Sequence, residues 1–476
     1  MPALHVAFMD EVPAPLREGL AQLRESLGVP DDFPAEVTEA AELSVADHTM
    51  PQLDLTDVEF VTIDPEGSKD LDQALHLART DDGYLFRYAI ADVAAFVPPR
   101  GLIDDECHQR VETLYAPNRR TPLHPEVLSE NAASLLPDVV RPALVWRIEL
   151  DQQGAPLHAT VARARVRSRR RYSYEQVQAA IDAGTAGEVL ELLKEVGQLR
   201  EAAEIARGGI SLGVPEQEVA VVDGTWTLDY RTNLPCEGWN AQLSLLTGMV
   251  AAAMMLDAGV GILRTLPPAE DQAINRLRRT AQALGISWPE KESYPDFVRG
   301  LDASVPRDAA MLNACTTLFR GAGYDSFTDG APKAAEHAAI AAPYAHVTAP
   351  LRRLVDRYAG EICVALSADQ PVPTWVLDAL NALPSEMEDS ARRAGKYERG
   401  IVDLVEAMVL APRIGQAFDG VLIDVDSNRS TGRIQLPDPA VEARAKGTRL
   451  RLGNEVTATL VAADLVSGRV DFRIFD

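Results

Sequence analysis

The hydrophobic pattern changes twice along the chain, and these changes limit the possible folds more than any other feature of the sequence. From about residue 50 to 175, short apolar runs rich in β-branched residues alternate with turn residues, which predicts strands mixed with short helices. From 175 to 410, apolar residues recur at helical spacing over long segments. After Pro412, about five short strands fill the last stretch of roughly 60 residues, which is typical of a small closed barrel such as an OB fold. The sequence therefore predicts an α+β chain of two or three domains.

Two short helices are predicted within the first 50 residues. The segment LREGLAQLRESLGV repeats leucine at helical spacing, and AEVTEAAELSV follows after the helix-breaking Pro34. Such a pair forms either a cap or a helix-turn-helix-like unit. Three longer segments of the central region also predict helices: GEVLELLKEVGQLREAAEIA, WNAQLSLLTGMVAAAMML and APLRRLVDRYAGEICVAL, the last of which begins at Ala349.

Cysteine spacing and apolar runs indicate the cellular compartment. No two of the four cysteines form a CxxC pair, which favours reduced thiols over a disulfide framework or a zinc site; they are Cys107, Cys236, Cys315 and Cys363. The N-terminus carries acids and prolines where a signal peptide needs a basic start and an apolar core. Polar residues interrupt the most membrane-like run, 239–256, so it is interpreted as a buried core helix. We expect a cytoplasmic monomer without a membrane partner.

The formal net charge of −25 disfavours a nucleic-acid partner, because a phosphate-binding surface should be basic. The charge is uneven, however, since residues 1–60 hold 13 Asp and Glu against 2 Lys and Arg. Six arginines lie close together and form either a local basic channel or a solvated strand edge; they are Arg163, Arg165, Arg167, Arg169, Arg170 and Arg171. After residue 400, 9 Lys and Arg face 11 Asp and Glu, so the predicted barrel is either a single-stranded nucleic-acid binder or purely structural.

Three aspartates form the sharpest local motif. Asp64 ends the predicted strand VEFVTID, and Asp70 and Asp72 follow the loop PEGSKD. Residues at i and i+2 of an extended segment lie on one face, and a loop that folds back would bring Asp64 into the same space. Gathered carboxylates need a neutralising cation, and hard oxygen ligands select Mg²⁺ or Mn²⁺, which can activate water for phosphodiester cleavage. The alternatives are a solvated turn or a calcium site, although the spacing is not that of an EF-hand.

Four blocks of the sequence resemble, in order, the motifs of the ribonuclease II (RNB) family of exoribonucleases. They are TIDPEGSKDLDQAL, YAIADVA, TLYAP with the following PLHPEVLS, and HVTAPLRR. The predicted C-terminal barrel also resembles the RNA-binding OB domain that ends these enzymes. The resemblance implies a helical N-terminal region at 1–50, an RNB catalytic domain with a mixed sheet and surrounding helices at 51–411, and an OB-fold RNA-binding barrel at 412–476.

The resemblance implies a processive hydrolytic exonuclease. Its substrate would be the 3′ end of single-stranded RNA, its products nucleoside 5′-monophosphates, and its cofactor Mg²⁺ or, alternatively, Mn²⁺. Asp64, Asp70 and Asp72 would hold the metal or its ligating waters, and Asp72 is also expected to be catalytic.

Three further residues receive roles from the same resemblance. Tyr115 would stack against or position the 3′-terminal nucleotide, with a core tyrosine as the alternative. Arg352 would contact the scissile phosphate and stabilise charge in the transition state, as a fixed guanidinium can. Arg353 is expected either to bind the substrate or to be structural.

The sequence departs from the family pattern at two points. Gln73 stands where most of the family has an aspartate, and an amide brings no negative charge, so a non-hydrolytic RNA-binding protein is the competing interpretation. Only about 50 residues precede the core, whereas the typical member begins with cold-shock-type barrels, so we expect a short form in which RNA reaches the site by a different route. Asn240 either lines that route or, as we prefer, makes hydrogen bonds between core helices.

Overall fold

The structure is a computed structural model that describes residues 4–6, 12–211, 216–222, 225–231, 233–303, 305–319, 321–426 and 429–475. Its helices are α1 Ala14–Leu27, α2 Ala35–Asp47, α3 Leu102–Arg110, α4 Tyr174–Asp182, α5 Glu188–Arg207, α6 Pro235–Ala258, α7 Asp271–Ala283, α8 Tyr294–Arg299, α9 Pro306–Cys315, α10 Leu354–Ser367, α11 Thr374–Ala379 and α12 Leu383–Leu410. Its strands are β1 Leu4–Val6, β2 Phe60–Ile63, β3 Gln73–Thr80, β4 Gly83–Ala91, β5 Leu114–Ala116, β6 Arg119–Thr121, β7 Val140–Asp151, β8 Pro156–Tyr172, β9 Glu216–Val222, β10 Thr225–Arg231, β11 Gly261–Thr265, β12 Gly323–Phe327, β13 Glu336–His337, β14 Ala342–Pro343, β15 Ala417–Asp426, β16 Thr431–Pro437, β17 Ala440–Lys446, β18 Glu455–Asp464 and β19 Arg469–Ile474.

The central region is built on a closed barrel whose strand order is β2-β3-β4-β7-β8. Strand β2 runs parallel to β8 and the other neighbours are antiparallel, so the predicted mixed sheet is confirmed and closes on itself. Alternating apolar residues of these strands point inward, and Phe60, Phe86 and Trp146 are completely buried. Strands β2 and β3 are neighbours in this barrel, and the aspartate motif is the loop that connects them.

Helices α5, α6 and α10 cover the barrel and extend its apolar core. Helix α6 is the one described helix that is long and apolar enough to cross a membrane by length and composition alone. It packs as a core helix, because Leu243, Ala251 and Met255 along its length have no exposed surface. Gly197 of α5 lets the two helices approach closely, since a Cβ there would lie 2.3 Å from the Cβ of Trp239.

The C-terminal strands form a second closed barrel in the order β15-β16-β17-β19-β18, which confirms the predicted five-stranded OB-type barrel. Its interior is filled by fully buried residues such as Leu422, Leu436 and Leu460. Helix α12 packs against it, α1 packs against α12, and both helices share the hydrophobic core of the barrel. Helix α12 therefore joins the barrel to α1, whereas α2 belongs to the core of the central barrel.

Two predictions about element boundaries were incomplete. The helices expected in the first 50 residues are confirmed as α1 and α2, but β1 adds a strand that pairs in parallel with β9, which lies far away in the sequence. The helix expected from Ala349 begins only at Leu354, because Arg353 adopts an extended backbone at φ −135° and ψ 129°. The five residues before Leu354 form a separate loop that contributes to the site described next.

Candidate active site

The loop between β2 and β3 folds back and gathers the three aspartates. Gly67 sits at φ 84°, a left-handed conformation that suits glycine and allows the tight turn. The turn is held at its base, where the Asp64 N–H donates to the Tyr172 carbonyl at 3.1 Å. Ser134 holds the other end, since its hydroxyl donates to the Lys69 carbonyl at 2.6 Å and accepts from the Leu71 N–H at 3.0 Å.

The pKa values show that the aspartates interact with one another. Burial raises the pKa of Asp64 to about 7; the Arg352 guanidinium opposes this rise, and the carboxylates of Asp72 and Asp70 add to it. Burial likewise raises the pKa of Asp72 to about 6, against the opposing charge of Arg352. The structure thus brings together the three aspartates and the arginine that the sequence singled out.

Asp72 and Arg352 form an ion pair at the centre of the cluster. The Arg352 Nε donates to Asp72 Oδ2 at 2.7 Å, and the backbone N–H of Leu351 donates to Asp72 Oδ1 at 2.7 Å. Only 2% of the Asp72 side chain is exposed, compared with 42% of the Arg352 side chain. The buried Asp72 therefore holds the guanidinium at Nε, while part of the Arg352 side chain remains exposed to solvent.

The hairpin of β5 and β6 closes over Asp70. Tyr115 and Arg120 are directly paired across the two strands, so their side chains lie on the same face. The Tyr115 hydroxyl donates to Asp70 Oδ2 at 3.2 Å, and Arg120 Nη1 lies 2.9 Å from Asp70 Oδ1. Tyr115 is 45% exposed, which excludes a core tyrosine. Arg120 was missed at the sequence level, where only the hairpin turn Pro117-Asn118 could have placed it opposite Tyr115.

Gln73 is bonded to protein groups at both ends of its amide. Its Nε2 donates to the Thr348 carbonyl at 2.7 Å, and its Oε1 accepts from the Tyr88 hydroxyl. Thr348 is held further by Ser244 of α6, the two hydroxyl oxygens being 2.9 Å apart. Gln73 thus ties β3 to the loop that carries Arg352.

His124 holds the same loop from another direction, a role that no sequence pattern indicated. Burial lowers the pKa of His124 to about 4, so the ring is neutral, and burial raises the pKa of Cys107 to about 12, so its sulfur is a thiol. His124 Nε2 lies 3.1 Å from the Pro350 carbonyl, which only accepts, so Nε2 carries the proton. The Cys107 thiol then donates to His124 Nδ1 at 3.1 Å.

Among the described contacts, neither Arg353 nor Asn240 makes a hydrogen bond to the three aspartates. Arg353 donates through Nε and Nη2 to the two oxygens of Asp356 at 2.9 and 3.0 Å, as expected of a structural residue. Asn240 donates to the Tyr174 hydroxyl at 3.4 Å. The neighbouring Gln242 of α6 donates to Glu204 of α5, a bond between core helices of the kind preferred for this stretch.

The arginine run lies on β8, and the two sequence interpretations, a basic channel or a solvated strand edge, stay predictions. Most of its side chains bind groups from distant segments and so fasten this strand to its surroundings. The contacts are Arg163 with Asp92 and Glu361, Arg165 with Asp54, Arg169 with the Thr56 carbonyl, and Arg171 with the Ser68 carbonyl.

The aspartates can be tested as ligands of a divalent cation. Among the described residues, no group of three or more His, Cys, Asp or Glu side chains is arranged to hold a metal ion. Asp70 and Asp72 already accept hydrogen bonds, whereas no described group donates one to the Asp64 carboxylate. Mg²⁺ usually binds through one or two carboxylates, with waters and substrate phosphate completing its shell. The donors therefore fit such a partly protein-bound cation and do not fit an all-protein cage.

Two family models match the chain. The model described as "RNB domain" matches residues 52–366, and the model described as "RNase II-type exonuclease C-terminal S1 domain" matches 416–474. Ribonuclease R of Mycoplasma pneumoniae is 27% identical over 474 residues, which cover 87% of this chain and 63% of that relative. The chain thus spans less than two-thirds of the length of this relative.

Solved structures share the fold. Mycoplasma genitalium RNase R in complex with ribose-methylated single-stranded RNA superposes with a TM-score of 0.86 at 20% identity, covering 97% of this chain and 78% of that one. Yeast Ssd1, a pseudonuclease, superposes with a TM-score of 0.68 at 16% identity, covering 91% of this chain and 54% of that one. At these identities the likeness establishes the fold, and activity has to be argued from the site.

Proposed function

Since this chain belongs to the RNB family of exoribonucleases, we propose that it shortens single-stranded RNA by hydrolysis from the 3′ end, releases nucleoside 5′-monophosphates, and depends on Mg²⁺ or Mn²⁺. The observation that carries the proposal is the set of three interacting aspartates beside a half-exposed arginine and an exposed tyrosine. The RNA substrate is further supported by the likeness to an RNase R solved with single-stranded RNA.

Arg352 is the residue proposed to bind the scissile phosphate. Its Nε is occupied by Asp72, and among the described residues no hydrogen bond is made by its two Nη groups. Burial alone would lower the pKa of Arg352, but the Asp72 carboxylate raises it, and the net shift is upward. Asp72 therefore keeps the guanidinium charged. A planar fork fixed at one nitrogen presents the other two to phosphate oxygens without having to reorganise.

Tyr115 and the aspartates complete the proposed site. The hydroxyl of Tyr115 is anchored on Asp70 while its ring remains exposed, so the ring offers a surface on which the last base can stack. Asp64 and Asp70 would hold the divalent cation, which supplies a polarised phosphate and an activated water. Asp72 acts chiefly by orienting Arg352, and its part as a direct ligand stays a prediction.

The direct test is incubation with single-stranded RNA labelled at the 5′ end, with Mg²⁺ and with or without a chelator. We expect full-length RNA to be converted to short labelled end products, a conversion that chelator abolishes, and 5′-monophosphates to appear in the soluble fraction. RNA labelled at the 3′ end should release labelled mononucleotide from the first turnover. Internal fragments, or shortening that persists in the presence of chelator, would contradict the proposal.

A second candidate is an RNA-binding protein without hydrolytic activity. It is favoured by Gln73, whose uncharged amide is bonded to Thr348 and Tyr88, and by the fold that the chain shares with a pseudonuclease. The same experiment separates the two candidates, because a binder retains labelled RNA at full length whether or not metal is present.

A further inference from the structure

Both oxygens of the Asp70 carboxylate are engaged by one hairpin. Arg120 contacts Oδ1 at 2.9 Å, and Tyr115 contacts Oδ2 at 3.2 Å. The Arg120 and Asp70 side chains are only 18% and 11% exposed, so water screens this pair weakly. An arginine remains protonated in proteins, so Arg120 places a permanent positive charge where a cation would share Asp70.

Arg120 has a second carboxylate within reach. Its Nη2 contacts Glu130 Oε1, and the Lys69 ammonium lies 3.8 Å from the other oxygen of Glu130. Glu130 lies on a single π-helical turn, Leu128–Ala132, that is fixed beside the hairpin. The guanidinium therefore bridges two carboxylates and would keep one partner if it left the other.

The other two aspartates of the cluster differ from Asp70. Asp72 is bound to Arg352 and to the backbone of Leu351, whereas no described group donates a hydrogen bond to Asp64. A dication entering the cluster thus meets an Asp64 carboxylate that accepts no described hydrogen bond, whereas at Asp70 it competes with Arg120.

We propose that Arg120 is the built-in counter-ion of the cation site: it neutralises Asp70 when no divalent cation is bound, competes with the cation for that carboxylate, and moves fully onto Glu130 when displaced. The inference rests on the divalent-metal dependence proposed above and adds a residue that sets the affinity for metal. It makes Arg120 a positioning residue that acts through Asp70.

A purely structural ion pair predicts the opposite sign. If Arg120 only braced the hairpin, its removal would loosen Asp70 and weaken metal binding. If it competes, removal frees a carboxylate oxygen and strengthens metal binding. Glu130 supplies a second and opposite test, because without it the guanidinium has Asp70 as its remaining acidic partner and should compete harder.

The experiment is a Mn²⁺ titration of the full chain followed by electron paramagnetic resonance, which counts free Mn²⁺ without requiring activity. We expect Arg120→Gln to lower the Kd for Mn²⁺ by about tenfold and Glu130→Gln to raise it. Arg119→Gln is the matched control, because Arg119 is next on the same strand but binds Asp32 at 2.5 Å; its Kd should stay within about twofold of the parent value. Thermal melting of each variant verifies that the fold is intact.

An unchanged or raised Kd in a folded Arg120→Gln variant would overturn this inference and leave the proposed function standing. A Glu130→Gln variant that binds Mn²⁺ more tightly would overturn it as well. If no variant and not even the parent chain bound Mn²⁺, the metal dependence would fall with it. RNA shortening in the presence of Mg²⁺ is measured separately and decides whether the proposed exonuclease activity fails.

Discussion

Two neighbouring arginines form ion pairs that differ in how many guanidinium nitrogens the carboxylate binds. In the closed pair, Arg353 binds both oxygens of Asp356 through two nitrogens, and Asp356 also accepts the Ala349 N–H at 2.7 Å. In the open pair, Arg352 binds Asp72 through Nε alone, and 42% of its side chain is exposed. The same two residue types thus form a structural contact in the closed pair, and in the open pair they leave guanidinium nitrogens available for another group.

The backbone explains how adjacent residues come to have such different environments. Arg352 lies in a turn closed by bonds to the Ala349 carbonyl, whereas Arg353 is extended, so the backbone changes conformation between the two residues. The loop between Thr348 and Arg352 is held at almost every residue, for instance by His124 at the Pro350 carbonyl and by the Thr113 N–H at the Arg352 carbonyl. A rigid loop can present Arg352 to a substrate because the closed pair and these bonds fix the other face.

The largest effect is expected when the open pair loses its charge. Asp72→Asn removes the carboxylate that orients Arg352, so we expect turnover on RNA to fall by about 10⁴-fold, as when the aspartate that orients a catalytic group is lost. RNA affinity, measured by fluorescence anisotropy, should be nearly unchanged because the strand contacts other groups. A turnover rate equal to that of the parent chain would contradict the role given to Asp72.

Breaking the closed pair should instead cost stability. Arg353→Ala leaves the fully buried Asp356 without its partner, so the free energy of unfolding should drop by about 3–5 kcal/mol. Chemical denaturation measures this change, and Arg353→Lys serves as the conservative control with a smaller loss. A variant as stable as the parent but without activity would show that Arg353, like Arg352, acts in the reaction.

Removing the exposed arginine should affect the reaction more than the fold. Arg352→Ala should raise the barrier by about 2–4 kcal/mol, because one fixed donor to the transition state is lost. Steady-state kinetics should show most of this loss in kcat, while Arg352→Lys keeps the charge but not the planar fork and recovers part of it. A change confined to KM would mean that Arg352 binds substrate and transition state equally.

The smallest effect is expected at Gln73, which couples the loop carrying Arg352 to β3. Gln73→Glu removes the donor to the Thr348 carbonyl and sets a carboxylate against it, which should cost about 1–3 kcal/mol in unfolding free energy. Tyr88→Phe, measured alongside, tests the other end of the same amide. If Gln73→Asp were more active than the parent chain, the missing charge rather than this bond would define the position.

Local sequence patterns predicted the aspartate cluster well. Asp64, Asp70 and Asp72 lie within one short loop, so strand, turn and alternation were enough to bring them together. The resemblance supplied Arg352 and Tyr115, which no spacing links to that loop. The C-terminal barrel and the long helices followed from hydrophobic periodicity, whereas the closure of the central sheet into a barrel was not predicted.

Contacts between distant segments could not be predicted. Arg120 reaches Asp70 from 50 positions away through a hairpin, and Arg163 on β8 pairs with Glu361 on α10. The first turn expected for α10 is missing because Asp356 binds the Ala349 N–H and Arg353 pairs as a strand with Glu112, and both contacts depend on the tertiary fold. Residue type and spacing carry no information about such partners.

The most direct measurement is anomalous X-ray scattering from crystals grown with Mn²⁺, which locates the cation without relying on activity. The account predicts a peak bonded to Asp64 on the open side, next to Asp70 and within reach of a phosphate held by Arg352. A peak beside Asp356 of the closed pair, with none at Asp64, would contradict the account.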